Sequence, residues 1–244
     1  MAILEVEGAC KSFGGLRAIN NLDLKVDEGE ILGLIGPNGS GKTTLFNLIA
    51  GVMKLEKGKI NFQGKDVTNV SCDQRCALGI ARTFQIPKPF AKMEALRNVM
   101  VGRYYGRSPP RSMKQAMTDA EQILEFTGLK NMGRITASNL NLAGRKRLEL
   151  AKALAAKPLL ILLDELMAGL NPIETQTMMG IIKEVREKGV TVIIVEHIVR
   201  AVMGISDRVV VLNLGQKIAE GLPQVVAHNE RVIEAYLGKG YHHA

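Results

Sequence analysis

Hydrophobic and polar positions alternate with different periods along the chain, and this predicts strands interleaved with helices. In LEVEGACKSF, AINNLDLKV and GKINFQGKDV, apolar and polar residues roughly alternate, which is typical of half-buried strands. EILGLI is a short apolar run that leads through a glycine-containing turn into TLFNLIAG, a predicted helix. PLLILLDE (158–165) and VTVIIVEH (190–197) are unbroken apolar runs, the pattern of parallel strands buried on both faces. The chain is therefore predicted to be an α/β protein with right-handed crossovers.

The middle and the end of the chain add a helical region and a hairpin. Residues 86–156 are predicted to be mostly helical, with a break at Pro109-Pro110, and to form a lobe inserted into the sheet. RVVVLNLGQKIAEG predicts a terminal hairpin and VVAHNERVIEAYLG a closing helix. The apolar runs are far shorter than the roughly 20 residues that cross a bilayer. We therefore expect a cytosolic chain that can also sit on a membrane surface.

Composition narrows the classes of function. The 244 residues are 46% hydrophobic, enough for a sizeable core in one large domain or in one domain with a lobe. A formal net charge of +8 favours an anionic partner, and nucleic acid, nucleotide and lipid head groups all fit that description. The three cysteines, Cys10, Cys72 and Cys76, lack metal-type spacing and are expected to be reduced thiols.

The strongest chemical signal is GPNGSGKTT, which follows the buried strand EILGLI and opens a helix. It matches the phosphate loop G-x-x-x-x-G-K-[ST], whose glycines let successive backbone N–H groups point into one anion-sized hollow. In such a loop Lys42 reaches the β- and γ-phosphates, and the Thr43 hydroxyl is a ligand of Mg²⁺. The predicted phosphate-binding residues are Gly36, Pro37, Asn38, Gly39, Ser40, Gly41, Lys42, Thr43 and Thr44. The sequence therefore predicts a protein that binds a nucleoside triphosphate.

Two strand ends carry polar residues that suit hydrolysis. Asp164 and Glu165 end LLILLDE, at the sheet edge where such folds bind ligands. Asp164 can hold Mg²⁺ through water, and Glu165 can polarise an attacking water molecule. The alternative is a strand-end pair of carboxylates in solvent. His197 ends VTVIIVEH, where a histidine can equally be a structural group.

NLNLAGRKRLELAKAL (139–154) raises an electrostatic problem. The apolar spacing predicts a helix that begins near Gly144, with Arg145, Lys146 and Arg147 in its first turn. The N-terminus of a helix already carries about half a positive charge, so three bases are unfavourable there. Either these bases form a solvated face, or an anion docks against this end of the helix.

These motifs together resemble the ATP-binding subunits of ABC transporters over nearly the whole chain. GPNGSGKT corresponds to the Walker A motif, LLILLDE to Walker B and MAGLN to the D-loop. In KSFGG, Phe13 takes the position of the residue that stacks on adenine, Gln85 in ARTFQ that of the Q-loop glutamine, and His197 that of the switch histidine. The resemblance implies a single cassette, 1–244, with a P-loop NTPase sheet core and an N-terminal antiparallel β subdomain (about 1–85 and 157–244). It also implies an inserted α-helical subdomain (about 86–156).

One branch of the family matches more closely. ARTFQIPKPF, RNVMVG (97–102), DELMAGLNP and VIEAYLG resemble the ATPases of branched-chain amino acid importers. The resemblance implies ATP and Mg²⁺ as cofactors, with Thr43, Gln85 and Asp164 around the metal. Glu165 would activate water, while Gln85 and His197 would sense the metal and the γ-phosphate. Implied partners are a second ABC ATPase, membrane permease subunits and, indirectly, a solute-binding protein, at the inner face of the cell membrane; no nucleic acid is expected.

The resemblance also bears on the basic helix. In this family, a signature loop, usually LSGGQ, points its helix at the ATP that the partner ATPase holds. Here Asn141, Leu142, Ala143 and Gly144 replace the last four residues of that motif, and two of the usual glycines are lost. Leu166 and Asn171 are smaller departures, at positions that usually hold Pro and Asp. We therefore expect a heterodimer in which the partner supplies an ordinary signature.

Three rival functions remain. A chromosome-maintenance or repair ATPase head would carry a long heptad insertion or a zinc module, and residues 45–139 contain neither. An exporter ATPase shares the same motifs. A regulatory module that binds nucleotide without hydrolysis is opposed by the presence of Glu165 and His197.

Overall fold

The computed structural model describes residues 1–237, which fold into two compact units. The first unit contains residues 1–71 and 191–237, and the second contains residues 72–190. The strands are β1 (Ala2–Phe13), β2 (Leu16–Asp27), β3 (Ile31–Ile35), β4 (Lys57–Phe62), β5 (Lys65–Asp66), β6 (Ile80–Arg82), β7 (Leu160–Asp164), β8 (Thr191–Val195), β9 (Arg208–Asn213) and β10 (Gln216–Gly221). The helices are α1 (Lys42–Ile49), α2 (Cys72–Leu78), α3 (Ala95–Tyr105), α4 (Met113–Phe126), α5 (Leu142–Ala155), α6 (Pro172–Glu187), α7 (Val199–Ile205), α8 (Pro223–Ala227) and α9 (Glu230–Leu237).

An antiparallel sheet in the first unit has the strand order β2-β1-β4-β5. In β2 the residues from Leu22 to Asp27 alternate between buried and exposed, so one face of that strand supplies core residues. β1 is less regular, since Ile3 and Leu4 are both buried. Val6 shows the register, because it lies opposite Leu24 of β2 and Ile60 of β4, and all three side chains are buried. This is the N-terminal antiparallel β subdomain that the sequence predicts.

Parallel strands in the same unit carry the phosphate-loop motif. β3 pairs in parallel with β8 on one side and with β9 on the other. Every residue of β3 and β8 is buried, as the unbroken apolar runs predict. β9 and β10 pair in antiparallel fashion and form the predicted terminal hairpin.

The second unit combines a short parallel strand pair with a helical core. β6 and β7 pair with Ile80 opposite Leu160. Helices α3, α4 and α5 share a core whose fully or nearly fully buried members are Ala95, Val99, Ala120, Leu124, Leu129, Ala137, Leu140, Leu148, Ala151 and Ala155. The predicted break at Pro109-Pro110 is confirmed, since α3 ends at Tyr105 and α4 begins at Met113. The assignment of 86–156 as a subdomain of one 1–244 domain stays a prediction.

The structure corrects the element predictions at the end of the chain and in its first third. The closing helix is two helices, because the Asn229 side chain accepts hydrogen bonds from the N–H groups of Arg231 and Val232 and starts α9 afresh. Gly238, the last residue of VIEAYLG, lies outside the described residues. Helices α2 and α7 and strand β6 have no counterpart among the elements predicted from the sequence. No helix in residues 1–237 is both long enough and apolar enough to span a membrane.

Candidate functional site

The phosphate loop lies where the sequence predicts it, between β3 and α1, in the first unit. Gly36 has a φ of 151°, and a Cβ there would lie 2.1 Å from the carbonyl oxygen of Leu212. Gly41 has a φ of 105°, and its Cβ would lie 2.5 Å from the carbonyl oxygen of Ala18. Both positions therefore exclude a side chain, and the loop takes this path because glycine occupies them.

Lys42 is the first residue of α1, and it is 7% exposed. Its Nζ donates to the carbonyl oxygens of Gly36 (2.7 Å) and Pro37 (3.0 Å), so the ammonium sits inside the loop that the motif defines. Among the described residues, no side chain caps this helix and no acidic residue occupies its first turn. Backbone N–H groups at such a terminus, next to a lysine, form a physically sound site for phosphate.

Three further predicted residues of the first unit, Phe13, Thr43 and His197, are accessible, whereas Ser40 is 1% exposed. Phe13 ends β1, is 46% exposed, and has the Lys11 ammonium 5.8 Å from its ring centroid. The Thr43 side chain is exposed in the first turn of α1. His197 is also exposed and comes two residues after the end of β8, next to the buried Glu196. An exposed aromatic ring can stack on a base, and an exposed histidine can reach a ligand.

Asp164 and Glu165 lie in the second unit, at and just after the end of β7, and neither is the solvated carboxylate that the alternative interpretation required. Asp164 is 4% exposed, and its Oδ2 accepts a hydrogen bond of 2.7 Å from Arg82 Nη2. Its backbone N–H donates to Thr83 Oγ1 at 3.1 Å. The pairing of β6 with β7 brings Arg82 and Thr83 to this point, so the short strand positions the carboxylate.

Glu165 is 8% exposed and adopts a left-handed backbone conformation, with a φ of 48°. Its Oε2 accepts a hydrogen bond of 2.5 Å from Gln85 Nε2. The structure therefore brings the predicted Q-loop glutamine and the predicted water-activating carboxylate together. Lys146 Nζ, in turn, donates to the backbone carbonyl oxygens of Gln85 (2.8 Å) and Glu165 (2.6 Å). Sequence reasoning assigned no role at this site to Arg82 or Lys146.

The signature-like segment differs from the prediction at its helix start. Helix α5 begins at Leu142 rather than near Gly144, because the Asn141 side chain is its N-cap and accepts a 2.8 Å hydrogen bond from the Gly144 N–H. The effect of the helix dipole falls off within the first turn. Arg145, Lys146 and Arg147 come after the first three helical positions, so they lie where this effect is weaker. The side-chain oxygen of Asn141 is thus engaged within its own helix.

The three consecutive bases Arg145, Lys146 and Arg147 donate to backbone carbonyls. Arg145 donates to the carbonyl oxygens of Leu140 and Ser138, both at 2.9 Å. Arg147 donates to the Gly128 carbonyl oxygen at 3.5 Å, and Lys146 is 2% exposed. The solvated-face interpretation is wrong for Lys146. Each base thus has a backbone acceptor, and docking of an anion against this end of the helix stays a prediction.

The segment after Glu165 explains two departures from the family pattern. Leu166 is fully buried, so its apolar side chain belongs to the core. Asn171 caps α6 in a reciprocal box, since its Oδ1 accepts from the Glu174 N–H (2.9 Å) and Glu174 Oε2 accepts from the Asn171 N–H (3.0 Å). Between them, Gly169 has a φ of 78°, and a Cβ added there would lie 2.9 Å from Leu142 Cδ2.

A surface cavity of about 700 Å³ lies in the second unit, beside the chain segment that follows Gln85. Its lining residues are Phe90, Ala91, Lys92, Met93, Glu94, Arg97 and Thr136. Phe90 is 50% exposed, whereas Asn98 is fully buried. The Asn98 side chain accepts a hydrogen bond from the Phe90 N–H (2.8 Å) and donates one to the Phe90 carbonyl oxygen (3.2 Å). Asn98 thus fixes the shape of this loop from inside.

Comparisons with protein families give a consistent result. The model of the ABC transporter family matches residues 19–168, and a model described as the branched-chain amino acid ATP-binding cassette transporter matches residues 216–242. The chain is 37% identical to the high-affinity branched-chain amino acid transport ATP-binding protein BraF of Pseudomonas aeruginosa, covering 97% of this chain and 98% of that protein. It is 38% identical to the corresponding LivG protein of Escherichia coli, with the same coverage.

Solved structures agree with this similarity. A nucleotide-free ATP-binding cassette from an ABC transporter is 33% identical, with a TM-score of 0.90 over 98% of this chain and 100% of the other. The ADP conformation of the cassette MJ1267 has a TM-score of 0.88 at the same identity and coverage. The predicted fold class, a P-loop NTPase core with β and helical additions, is confirmed.

Proposed function

This chain belongs to the ABC transporter family, and from that premise we propose that it is the ATP-hydrolysing subunit of an importer for branched-chain amino acids. Related small polar solutes, such as amides and urea, remain within the proposal. The family establishes nucleotide binding and ATP hydrolysis. The solute is proposed because relatives that match 97% of this chain are named for branched-chain amino acid transport.

The observation that carries the hydrolytic mechanism is the hydrogen bond of 2.5 Å between Gln85 Nε2 and Glu165 Oε2. A carboxylate that a neutral amide orients at the end of a buried strand can accept a proton from an attacking water molecule. Glu165 is therefore the proposed base. Because phosphoryl transfer needs mostly positioning and charge neutralisation, the other residues act by holding the nucleotide.

Each of those residues has a proposed task. Lys42 and the N–H groups of the loop hold the β- and γ-phosphates, which requires Lys42 to exchange its bonds to the Gly36 and Pro37 carbonyls for phosphate oxygens. Phe13 stacks on adenine, and His197 contacts the γ-phosphate.

The metal is proposed from the donor chemistry. Thr43, Gln85 and Asp164 offer hydroxyl, amide and carboxylate oxygens, the hard donors that Mg²⁺ prefers. When bound, Mg²⁺ neutralises charge on the phosphates. The Arg82 guanidinium is ion-paired with Oδ2 of Asp164, so its positive charge lies beside the carboxylate that would face the metal.

The catalytic assignment is tested with two substitutions. Glu165→Gln removes the base but keeps the size of the side chain, so ATP turnover should fall by about 10²-fold or more while ATP affinity is retained. Lys42→Ala should weaken ATP affinity itself. Glu187→Gln, at an exposed position of α6, is the matched control and should retain full turnover. Wild-type turnover by Glu165→Gln in the assembled transporter would remove Glu165 from the mechanism.

We further propose that the functional pair is a heterodimer. At Leu142 and Ala143, side chains stand where the family pattern has glycines that let the backbone approach phosphate. In a heterodimer, a partner with an ordinary signature would complete the site that uses Glu165 of this chain. The altered signature of this chain would face only the partner's nucleotide.

Two single-glutamate variants of the reconstituted complex test this arrangement. Glu165→Gln here should reduce ATPase activity and uptake more than the matching substitution in the partner. Equal losses would mean that the altered signature works as well as the usual one. Robust ATPase activity of this chain in the absence of any other ATPase would overturn the heterodimer.

The cavity beside Phe90 is the proposed contact with a permease subunit. Phe90 and Arg97 line it, and the buried Asn98 holds the loop in place, so an apolar ring and a cation face one opening. Phe90→Asp should abolish coupling between hydrolysis and uptake while ATP binding persists. Met117→Asp, at a position 44% exposed on α4, controls for adding a surface charge. Normal uptake by Phe90→Asp would defeat this assignment.

Partners and location are tested together. Gentle purification from native membranes should recover the chain with permease subunits, a second ATPase and, indirectly, a solute-binding protein. Protease added from the cytoplasmic side should digest the chain, as expected for a subunit on the inner face. Recovery with a different class of transporter would redirect the solute assignment.

A further inference from the structure

Lys146 is a buried cation inside the second unit. It lies one turn into α5, its side chain is 2% exposed, and two of its hydrogen bonds go to the carbonyl oxygens of Gln85 and Glu165. Burial of an ammonium is costly unless strong acceptors surround it, so this residue is held in place by a defined set of contacts.

The two carbonyls belong to residues whose side chains already meet. Gln85 Nε2 donates to Glu165 Oε2, so Lys146 joins the backbones of the same pair. The position is also strained, because Glu165 has a φ of 48°, a left-handed conformation that is unfavourable for a residue other than glycine. A charged donor at 2.6 Å from the Glu165 carbonyl oxygen favours that orientation of the peptide.

The helix that carries Lys146 makes a second attachment to the Q-loop segment. Lys152 Nζ, further along α5, donates to the carbonyl oxygen of Lys88 at 3.0 Å. The N-cap of the same helix is Asn141, in the signature-like segment. Displacement of α5 would therefore pull on the backbones of Gln85, Lys88 and Glu165 together.

We propose that Lys146 is a positioning residue for ATP hydrolysis, which fixes the backbone of Glu165 and of Gln85 and links both to the signature helix. This inference rests on the proposed role of Glu165 as the base. Lys146 does not touch the nucleotide in this proposal. Its effect reaches the reaction through the angle of the Glu165 carboxylate.

The rival explanation is a lysine that only satisfies buried carbonyls and so stabilises the fold. The two explanations differ in what a substitution changes. A structural lysine affects thermal stability, whereas a positioning lysine lowers kcat and leaves ATP affinity unchanged. If Lys146 only stabilises the fold, another cation at this position would not restore kcat independently of thermal stability.

The experiment uses the full chain in its reconstituted transporter and measures kcat, the KM for ATP, ATP affinity and the melting temperature. Lys146→Met keeps the length of the side chain without a donor, and kcat should fall by about tenfold or more with ATP affinity within about twofold. Lys146→Arg restores a charged donor and should recover most of that loss. Arg147→Met, the neighbouring base, should stay within about twofold of wild type in kcat.

The outcomes separate the two proposals. If Glu165→Gln turns over like wild type, the role of Glu165 fails, and the role of Lys146 fails with it. If Glu165→Gln is inactive but Lys146→Met has wild-type kcat, only the Lys146 proposal is overturned. Should Lys146→Met not fold, Lys146→Gln, a shorter neutral donor, takes its place. A wild-type kcat in Lys146→Gln likewise overturns the proposal, and a low kcat at a wild-type melting temperature supports it.

Discussion

The buried ion pair of Arg82 and Asp164 allows a quantitative prediction for stability. Nη2 and Oδ2 lie 2.7 Å apart, and the two side chains are 8% and 5% exposed. Removing one member of such a pair leaves an uncompensated buried charge, which costs about 3–5 kcal/mol. Arg82→Met should therefore lower the free energy of unfolding by about that amount, a large fraction of the roughly 5–15 kcal/mol that stabilises a typical domain.

The double variant gives the sharper number. Arg82→Met combined with Asp164→Asn removes both charges, so it should cost less than Arg82→Met alone. The resulting coupling free energy should be about 2–3 kcal/mol, at the upper end of the range for contacting residues. The exposed pair of Glu125 and Lys130, whose side chains are 59% and 66% exposed, serves as the control. Its coupling should be about 0–1 kcal/mol and should shrink in high salt.

Urea unfolding of the nucleotide-free chain, followed by far-ultraviolet circular dichroism, measures all of these values. The chain contains no tryptophan, so intrinsic fluorescence offers no comparable signal. A coupling free energy for Arg82 and Asp164 below about 0.5 kcal/mol would refute the reasoning, because distant and independent sites already differ from additivity by that much.

Further predictions concern backbone, capping and pH. Gly41→Ala should abolish ATP binding or folding, since its Cβ would lie 2.5 Å from the Ala18 carbonyl oxygen. By contrast, a Cβ added at Gly180 of α6 would meet no atom within 4 Å, so Gly180→Ala should stabilise the chain by about 0.5–1 kcal/mol in the same urea assay. Asn171→Ala should cost about 1 kcal/mol of unfolding free energy, whereas Asn171→Asp should keep the cap and cost little; equal losses would exclude capping as the cause. Burial raises the pKa of Tyr236 above 10.0, and the N–H of Gly36 opposes the rise. The stability linked to this group is complete below pH 10 and is lost as pH rises through the folded pKa, so wild type should lose stability in alkali more steeply than Tyr236→Phe.

Local motifs were predictable from the sequence because their chemistry is local. The phosphate loop needs glycines and a lysine at fixed spacing next to a buried strand, and Gly36, Gly41 and Lys42 provide them within seven consecutive residues. The buried strands were equally clear, since a parallel strand covered on both faces leaves an unbroken apolar run. The positions of β3, β7 and β8 follow from that pattern.

The partners of the basic residues were not predictable, because folding brings them together from distant segments. Lys146 meets the carbonyl of Gln85, 61 residues away, and Arg82 meets Asp164, 82 residues away. A sequence pattern does not show which backbone carbonyl a basic side chain will contact, so the bases of α5 could be interpreted only from their charge. The true start of α5 does have a signal, since Asn is a preferred N-cap, but the family resemblance places Asn141 in the signature that faces the partner's ATP.

Gly169 also limits which substitutions evolution can accept in this branch. Its left-handed φ of 78° tolerates little except glycine, asparagine or aspartate, and any Cβ there would meet Leu142 Cδ2 at 2.9 Å. Leu142 is 46% exposed and Cδ2 lies at the far end of its side chain, so a change of rotamer can relieve that contact, whereas the backbone angle stays. The restraint on the D-loop therefore lies mainly in the φ of Gly169, and Gly169→Ala should be unfavourable even beside a shorter residue at position 142.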